Sequence, residues 1–451
     1  MIAKPPLFQL TRPLTSADLV DYQAEFEKLQ GNILKSHGRE ASASVFLTFK
    51  AGKATAVKRF LRELNVTSAA EQQRQILRFK QDGKSELFVG LCLSAQGYEF
   101  LGNSVTSFSP EFQQGMRSAG SRLNDAPVNQ WDAKFQGVIH AMILLAHDLA
   151  PELTKEMARL QTQGKDLFDE SNELGRVMRN AAEDAIEHFG YADGLSQPLF
   201  FADQITGLST GNWDPSAGPN LVLVRDPLGS SDQDCGTYYV FRKLEQNVRG
   251  FKQREQALAD ALNLSGPARE LAGAMVVGRF EDGTPVVLTN RAGGATERND
   301  FAYPSVDSQG NKCPFAAHIR KTNPRGDSAR LDERARRIVR RGITYGDRTF
   351  PERLDSLPEG GVGLLFQCCQ SSLADQFEFI QGSWASNDGF AKPDTGKDPV
   401  IGQSLAGPFP DLGYPPTWNE VGRTPFSFHG FVTLKGGEYF FAPSISYLKA
   451  L

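Results

Sequence analysis

Two stretches of the chain share one plan: GVIHAMILLAHDLAPELTKEMARLQ (137–161) and GVGLLFQCCQSSLADQFEFIQ (361–381). Each opens on Gly-Val, runs through an apolar, strand-like stretch and turns near Asp148 or Ser371. Apolar residues at three-to-four spacing follow in both, the pattern of a helix with one buried face. The letters differ, but a strand, turn and helix laid out once in each part of the chain suggests two halves of similar architecture.

Working outward, ASVFLTFK (43–50), ELFVGLCLS (86–94), GTYYVFRKL (236–244) and AMVVGRF (274–280) read as further strands, and QREQALADALN (253–263) as a helix. Strands separated by helices, each half with its own sheet, predict an α+β protein in which two sheets face one another. We place the division between residues 1–215 and 216–451. The polar, glycine-rich stretches 203–235 and 281–312 are longer than ordinary connections and are expected to serve function.

The 451 residues are 40% apolar and 23% charged, an ordinary globular composition, and a formal net charge of −4 gives no reason to expect a nucleic-acid partner. No apolar run is long enough to span a bilayer, and MIAKPPLFQLTRPL lacks the pattern of a secretory signal. A cytoplasmic location is expected, with a mature secreted form left open. Five cysteines without a CxxC pair point to a reducing compartment rather than a disulfide framework.

Six histidines are available for chemistry: His37, His140, His147, His188, His318 and His429. Any one of them is ordinarily a satisfied core or surface residue. His318 stands apart because CPFAAHIRKTNPR (313–325) follows it with Arg320, Lys321 and Arg325. Nearby cations lower the proton affinity of an imidazole, leaving it neutral and able to ligate a metal. They can also hold the carboxylates of an anionic cofactor, or simply form a solvated basic loop. In HFGYADGLSQP (188–198), Gly190 and Gly194 bracket Asp193, and glycine permits tight turns and close approach to a ligand face. An acid held there in an apolar pocket suits general acid/base work, although a capped turn has the same look. In RRIVRRGITYG (336–346), a helical-looking run from Asp332 carries five arginines and ends at Arg340 and Arg341 before a glycine. An arginine facing a low-dielectric cavity can stabilise developing negative charge, and composition does not say which of the two points inward.

These three stretches, in this order, resemble the signature of the dye-decolorizing peroxidases: GYADG, CPFAAHIRKTNPR and IVRRGITYG stand where the family has its GxxDG motif, its proximal-histidine segment and its distal-arginine segment. YYVFRKLEQNV (238–248), VVGRFEDGTP (276–285), GLLFQCCQSSLADQFEFIQ (363–381) and FVTLKGGEYFFAPSISYL (431–448) extend the likeness from about residue 30 to the end of the chain. The long loops are similar to those of the larger fungal and bacterial members.

The resemblance implies two ferredoxin-like α+β halves whose antiparallel sheets form a dimeric α+β barrel, with one haem b per chain in the second half. It implies His318 as the proximal iron ligand, and Arg320 and Arg325 beside the haem propionates. Asp193 and Arg340 then match the distal acid and arginine that assist heterolysis of the O–O bond of hydrogen peroxide, with Gly194 close to the cofactor. An aspartate in a role that plant-type peroxidases give to histidine implies an acidic working range. Leu364 and Phe366 match apolar residues over the distal face, where plain strand core is an equally good reading. A cavity so narrowed admits peroxide but no dye, so aromatic reductants are oxidised from outside, and Tyr345 and Trp384 resemble the family's surface electron-transfer positions. Trp131, Trp213 and Trp418 are weaker candidates. Asp398 resembles the carboxylate partner of the proximal histidine, with Asp394 or Asp411 as alternatives. Cys368-Cys369 departs from the family, which commonly has an aromatic residue there. The implied partners are hydrogen peroxide and aromatic reductants, without nucleic acid or membrane, and the oligomeric state stays open. The alternative is a haem-handling protein, which would use the same His318 but has no need of Asp193 and Arg340.

Overall fold

The computed structural model of the chain describes residues 4–293, 299–328, 332–348, 354–404 and 409–451. Its body is one ten-stranded sheet. Strands β1 (Ala41–Phe49), β2 (Phe88–Leu93), β3 (Ala141–His147) and β4 (Phe168–Arg176) come from the first part of the chain. The second part supplies β5 (Val224–Arg225), β6 (Cys235–Gln246), β7 (Val339–Arg340), β8 (Ile343–Tyr345), β9 (Gly363–Gln370) and β10 (Val432–Ala442). The main path runs β8-β9-β6-β10-β2-β3-β1-β4, all antiparallel, with β5 beside β6 and β7 beside β9. The two expected sheets are therefore joined edge to edge, at the pair Phe441 and Leu93. At the other ends of the path Thr344 Oγ1 donates to Arg176 O, which brings β8 alongside β4 and curls the sheet into a barrel-like body.

Apolar residues on both faces explain why β3 reads as a continuous hydrophobic run: every residue from Ala141 to His147 is buried. One face of the barrel wall meets the same face from the other half, as where Phe46 of β1 packs edge-on against Phe241 of β6 at 4.8 Å. The other face of β3 and β1 is covered by amphipathic helices such as Ala54–Glu63, which buries Val57, Phe60 and Leu61, and Ala150–Gly164, which buries Leu153 and Leu160. A second core, containing Phe251, Leu258, Ala272, Met275, Phe280 and Tyr303, sits on the outer side of β6 and β10. Among the described residues no helix is long and apolar enough to cross a membrane.

Three local expectations are corrected. Residues 274–280 do not form a strand; Glu270–Val277 is a helix in which Leu271 through Val276 are all buried, and a short helix that is apolar all round has no polar face to reveal its period. The arginine run after Asp332 is a turn leading into β7 rather than a helix. Its side chains are drawn to separate partners, Arg334 to Asp214, Arg336 to Asp375 and Arg337 to Ser216 O. The helix after β9 is wound in two wide π-helical pieces, Leu373–Phe377 and Phe379–Ala385.

Candidate active site

Between the barrel wall and the second core lies a cavity of about 270 Å³, lined by Asp193, Gly194, His318, Arg340, Leu364 and Phe366 among others. Strand alternation accounts for part of this lining. Leu364 and Phe366 of β9 face the cavity, whereas Leu365 and Gln367 face the barrel interior, where Tyr239 donates to Gln367 Oε1 at 2.5 Å. The same rule separates the two arginines. Arg340 faces the cavity, and Arg341 turns the other way, donating to Asn32 O at 2.6 Å and Ile33 O at 2.7 Å.

Asp193 is carried by a loop that needs its glycines: Gly190 has φ +98 and Gly194 φ +78, values that L side chains rarely adopt. Asp193 N donates to Ala185 O at 2.9 Å, and Asp193 Oδ1 accepts from Gly194 N at 2.6 Å. Arg340 Nη1 stands 3.6 Å from the same oxygen, and Arg340 Nη2 donates to Leu195 O at 2.6 Å. The acid and the cation are thus held side by side on one wall.

His318 opens the short helix His318–Thr322. Its Nδ1 lies 2.8 Å from Asp398 Oδ2, and Asp398 is fully buried, its other oxygen accepting from Val400 N and Ile401 N. Of the three carboxylates considered, Asp398 is the partner. The pair fixes the ring's tilt and leaves Nε2 as the nitrogen available to a ligand in the cavity. Among the described residues no group of three or more His, Cys, Asp or Glu comes together as a metal cage, so a metal here would take its remaining ligands from elsewhere.

The basic residues sort themselves differently from expectation. Arg320 does not line the cavity; it is buried behind it, with all five N–H groups taken by Asp307 and Asp327 carboxylates and the carbonyls of Asp307 and Cys313. At about 100° per residue, position 320 points roughly 200° away from position 318, whereas Thr322 returns to the cavity side. Lys321 is likewise turned away and gives its ammonium to Asn387 O and Phe390 O, and burial lowers its pKa to about 8.

Arg325, also behind the lining, belongs to a cluster that sequence reading missed. Arg325 and Arg279 both donate to Ser196 Oγ, at 2.8 and 3.0 Å, and both reach Asn299 Oδ1, at 3.5 and 2.5 Å. Arg279 and Arg337 line the cavity with Arg340. Burial, opposed by Tyr303 and aided by repulsion from Arg340 at Arg279 and from Arg279 and Arg337 at Arg325, pushes these two down to about 10 and about 9, and burial with repulsion from Arg334 brings Arg337 to about 10. Arg279 lies in VVGRFEDGTP, and a glycine and a cation directly after an apolar stretch is the only local signal for it.

Tyr345 and Trp384 are not at the surface: they are 7% and 2% exposed, the indole stacked on Phe390 at 5.0 Å and the phenol packed beneath Lys243. Trp131 is buried, and Trp213 and Trp418 are half-buried. Trp213 lies against the cluster, its ring 5.1 Å from the Arg325 guanidinium. Cys368 and Cys369 are fully buried, and burial raises both thiols, Cys369 to about 12, so they stay protonated and serve as small packing residues.

The chain is similar to known proteins along its whole length. Residues 28–180 match the profile of the DyP dimeric alpha+beta barrel domain. The multifunctional dye peroxidase DyP2 of Amycolatopsis sp. is 41% identical over 94% of this chain and 95% of its own length. A dye-decolorizing peroxidase of Mycena epipterygia is 30% identical over the whole chain and 91% of its own. The crystal structure of a DyP-type peroxidase from Anabaena sp. superposes with a TM-score of 0.91 at 37% identity, covering 100% of this chain and 99% of the other. On fold, motif order and overall identity alike, this chain belongs to the dye-decolorizing peroxidase family.

Proposed function

We propose that the protein is a haem-dependent peroxidase that reduces hydrogen peroxide and oxidises dyes, phenols and other aromatic reductants. One observation carries the reading: a carboxylate-backed imidazole and an acid–guanidinium pair line the same cavity. The residues fit one haem b per chain. His318 offers Nε2, the apolar side chains of Leu364, Phe366, Ile319 and Val400 suit a porphyrin, and the buried Arg279 and Arg325 with the half-buried Arg337 form a cationic group suited to two propionates.

Bound haem supplies the iron at which peroxide is reduced. The chain's own residues do the rest. Asp193 is placed to accept a proton from one peroxide oxygen and return it to the other. Arg340, held by Leu195 O, keeps a fixed positive charge beside Asp193 and stabilises the negative charge that develops as the O–O bond breaks. Asp398 orients the His318 ring and fixes Nε2 as the nitrogen that faces a ligand. Leu364 and Phe366 narrow the cavity so that bulky reductants act from outside it.

The Asp193–Arg340 pair favours catalysis over haem carriage, because a carrier has no use for an acid and a cation in the ligand cavity. The test is the visible spectrum of haem-loaded protein with and without His318→Ala, followed by addition of peroxide. Loss of the bound-haem band in the variant and a peroxide-dependent spectral change in the parent are expected. Equal haem binding by the variant would overturn the assignment of the ligand.

A further inference from the structure

The cavity carries a second guanidinium–carboxylate pair that the chemistry above does not use. Arg242 lines it from β6, paired across the strands with Phe366. Asp125 lies behind Arg242, just after the helical turn Gly120–Leu123, its N–H donating to Gly120 O at 3.0 Å. Arg242 Nη2 donates to Asp125 Oδ1 at 2.5 Å, and each residue is 3% exposed. Among the described residues, Arg242 Nε, Arg242 Nη1 and Asp125 Oδ2 are buried without a partner. Other arginine–carboxylate pairs of the fold are better satisfied: Arg320 fills every N–H, and Arg122 grips both oxygens of Glu378, at 2.9 and 3.0 Å.

Buried donors and acceptors of a guanidinium and a carboxylate are not left bare in a stable fold, so a small polar molecule is called for. The atoms left over are two guanidinium N–H donors and one carboxyl oxygen, which selects a small neutral molecule able both to donate and to accept, and Arg242 lines a cavity with room for one. Water meets that description. Reducing hydrogen peroxide to two waters takes up two electrons and two protons. A reductant kept outside the cavity can send electrons through the protein, but the protons must arrive separately. Asp193 returns to peroxide a proton that peroxide already carried and adds nothing to the total.

We propose, resting on the peroxidase reading, that Arg242 and Asp125 hold an ordered water on the cavity wall and that Asp125 supplies protons to the cavity through it during turnover. In each transfer the Asp125 O–H bond breaks as a new O–H bond forms on the held water, which passes its own proton inward. Asp125 is left as a carboxylate beside Arg242. Asp125 regains its proton from solvent, so that each proton passed inward is replaced by one taken up from outside. Burial raises the proton affinity of Asp125 and Arg242 opposes that rise, which leaves an acid able to carry a proton beside a cation.

A high-resolution crystal structure of the wild-type holoenzyme tests the first half. A water bonded to Asp125 Oδ2 and to Arg242 Nε or Nη1 is expected, and its absence would overturn the proposal without touching the peroxidase reading. Kinetics of Asp125→Asn and Asp125→Glu test the second half. Turnover of a bulky anthraquinone dye should fall by about a hundredfold in the asparagine variant, the scale of lost acid–base assistance, with a larger solvent isotope effect. The single-turnover reaction with peroxide alone should keep its rate, and the glutamate variant should recover most of the turnover. Unchanged turnover and isotope effect in Asp125→Asn overturn the proposal. A holoenzyme that fails to react with peroxide at all overturns the peroxidase reading instead.

Discussion

Arg320 and Arg325 sit on one short segment, both fully buried, in opposite surroundings. Arg320 lies between Asp307 and Asp327, which with two carbonyls take every N–H it has, and its guanidinium also stacks over Tyr303 and Phe315. Among the described residues no carboxylate lies within ion-pair distance of Arg325; its neighbours are Ser196, Asn299, Phe301, Trp213 and two further arginines, Arg279 and Arg337. A buried cation that brings its own anions completes the fold by itself. A buried group of cations that lacks them leaves the fold best suited to an anion from outside.

The largest expected effect tests the first half of that contrast. Arg320→Met would leave Asp307 and Asp327 buried without their cation, and breaking a buried pair in this way costs about 3–5 kcal/mol. Denaturant unfolding should show this loss equally in the haem-free and haem-loaded protein. A loss seen only when haem is bound would return Arg320 to the cofactor site and dissolve the contrast.

Arg279→Met tests the second half and should be milder. The haem-free protein gives up three polar contacts but also a desolvated charge among like charges, so its stability should change by less than about 1 kcal/mol. Haem affinity, measured by transfer to apomyoglobin, should weaken about tenfold or more, the value of one charge-assisted hydrogen bond. Destabilisation of the haem-free variant on the scale of Arg320→Met would mean that the cluster is a structural element like the other.

This contrast also shows what could be read in advance. The strands at 43–50, 86–94 and 236–244 were legible because β-branched and aromatic residues crowd a short run, and the helices that pack on them because one face stays polar. The Glu270–Val277 helix was not, since burial on all sides erases the period. Asp193, His318, Arg340 and Asp398 were placed by resemblance to a family, and strand and helix geometry explain why each faces where it does. Proximity in sequence misled at Arg320, where two steps along a helix turn a side chain to the opposite face. The arginine cluster draws Ser196, Arg279, Asn299 and Arg325 from separate segments, and the Arg242–Asp125 pair spans 117 positions. Nothing local marks such convergence.

The smallest effect probes the edge of the cluster. Asp300 is an acid whose charge is felt at Arg325, yet its carboxylate is occupied with the loop outside: Ser209 Oγ donates to it at 2.5 Å, and the N–H groups of Gly211, Asn212 and Trp213 at 3.0, 2.5 and 2.7 Å. The Ser209 hydroxyl first, then these backbone donors, hold its pKa down to about 2. A depressed carboxylate stabilises above its unfolded pKa, near 4, and that contribution fades as pH falls from there toward about 2. The 209–213 loop should therefore loosen only in that window, reported by a fluorescence change that Trp213→Phe abolishes. Asp300→Asn should show the loosened signal already at neutral pH, with global unfolding nearly unchanged because the site is so open to solvent. Were Asp300 instead the counter-ion of the cluster, its loss would destabilise the haem-free protein as Arg320→Met does, and the distinction between self-paired and waiting cations would fail at this point.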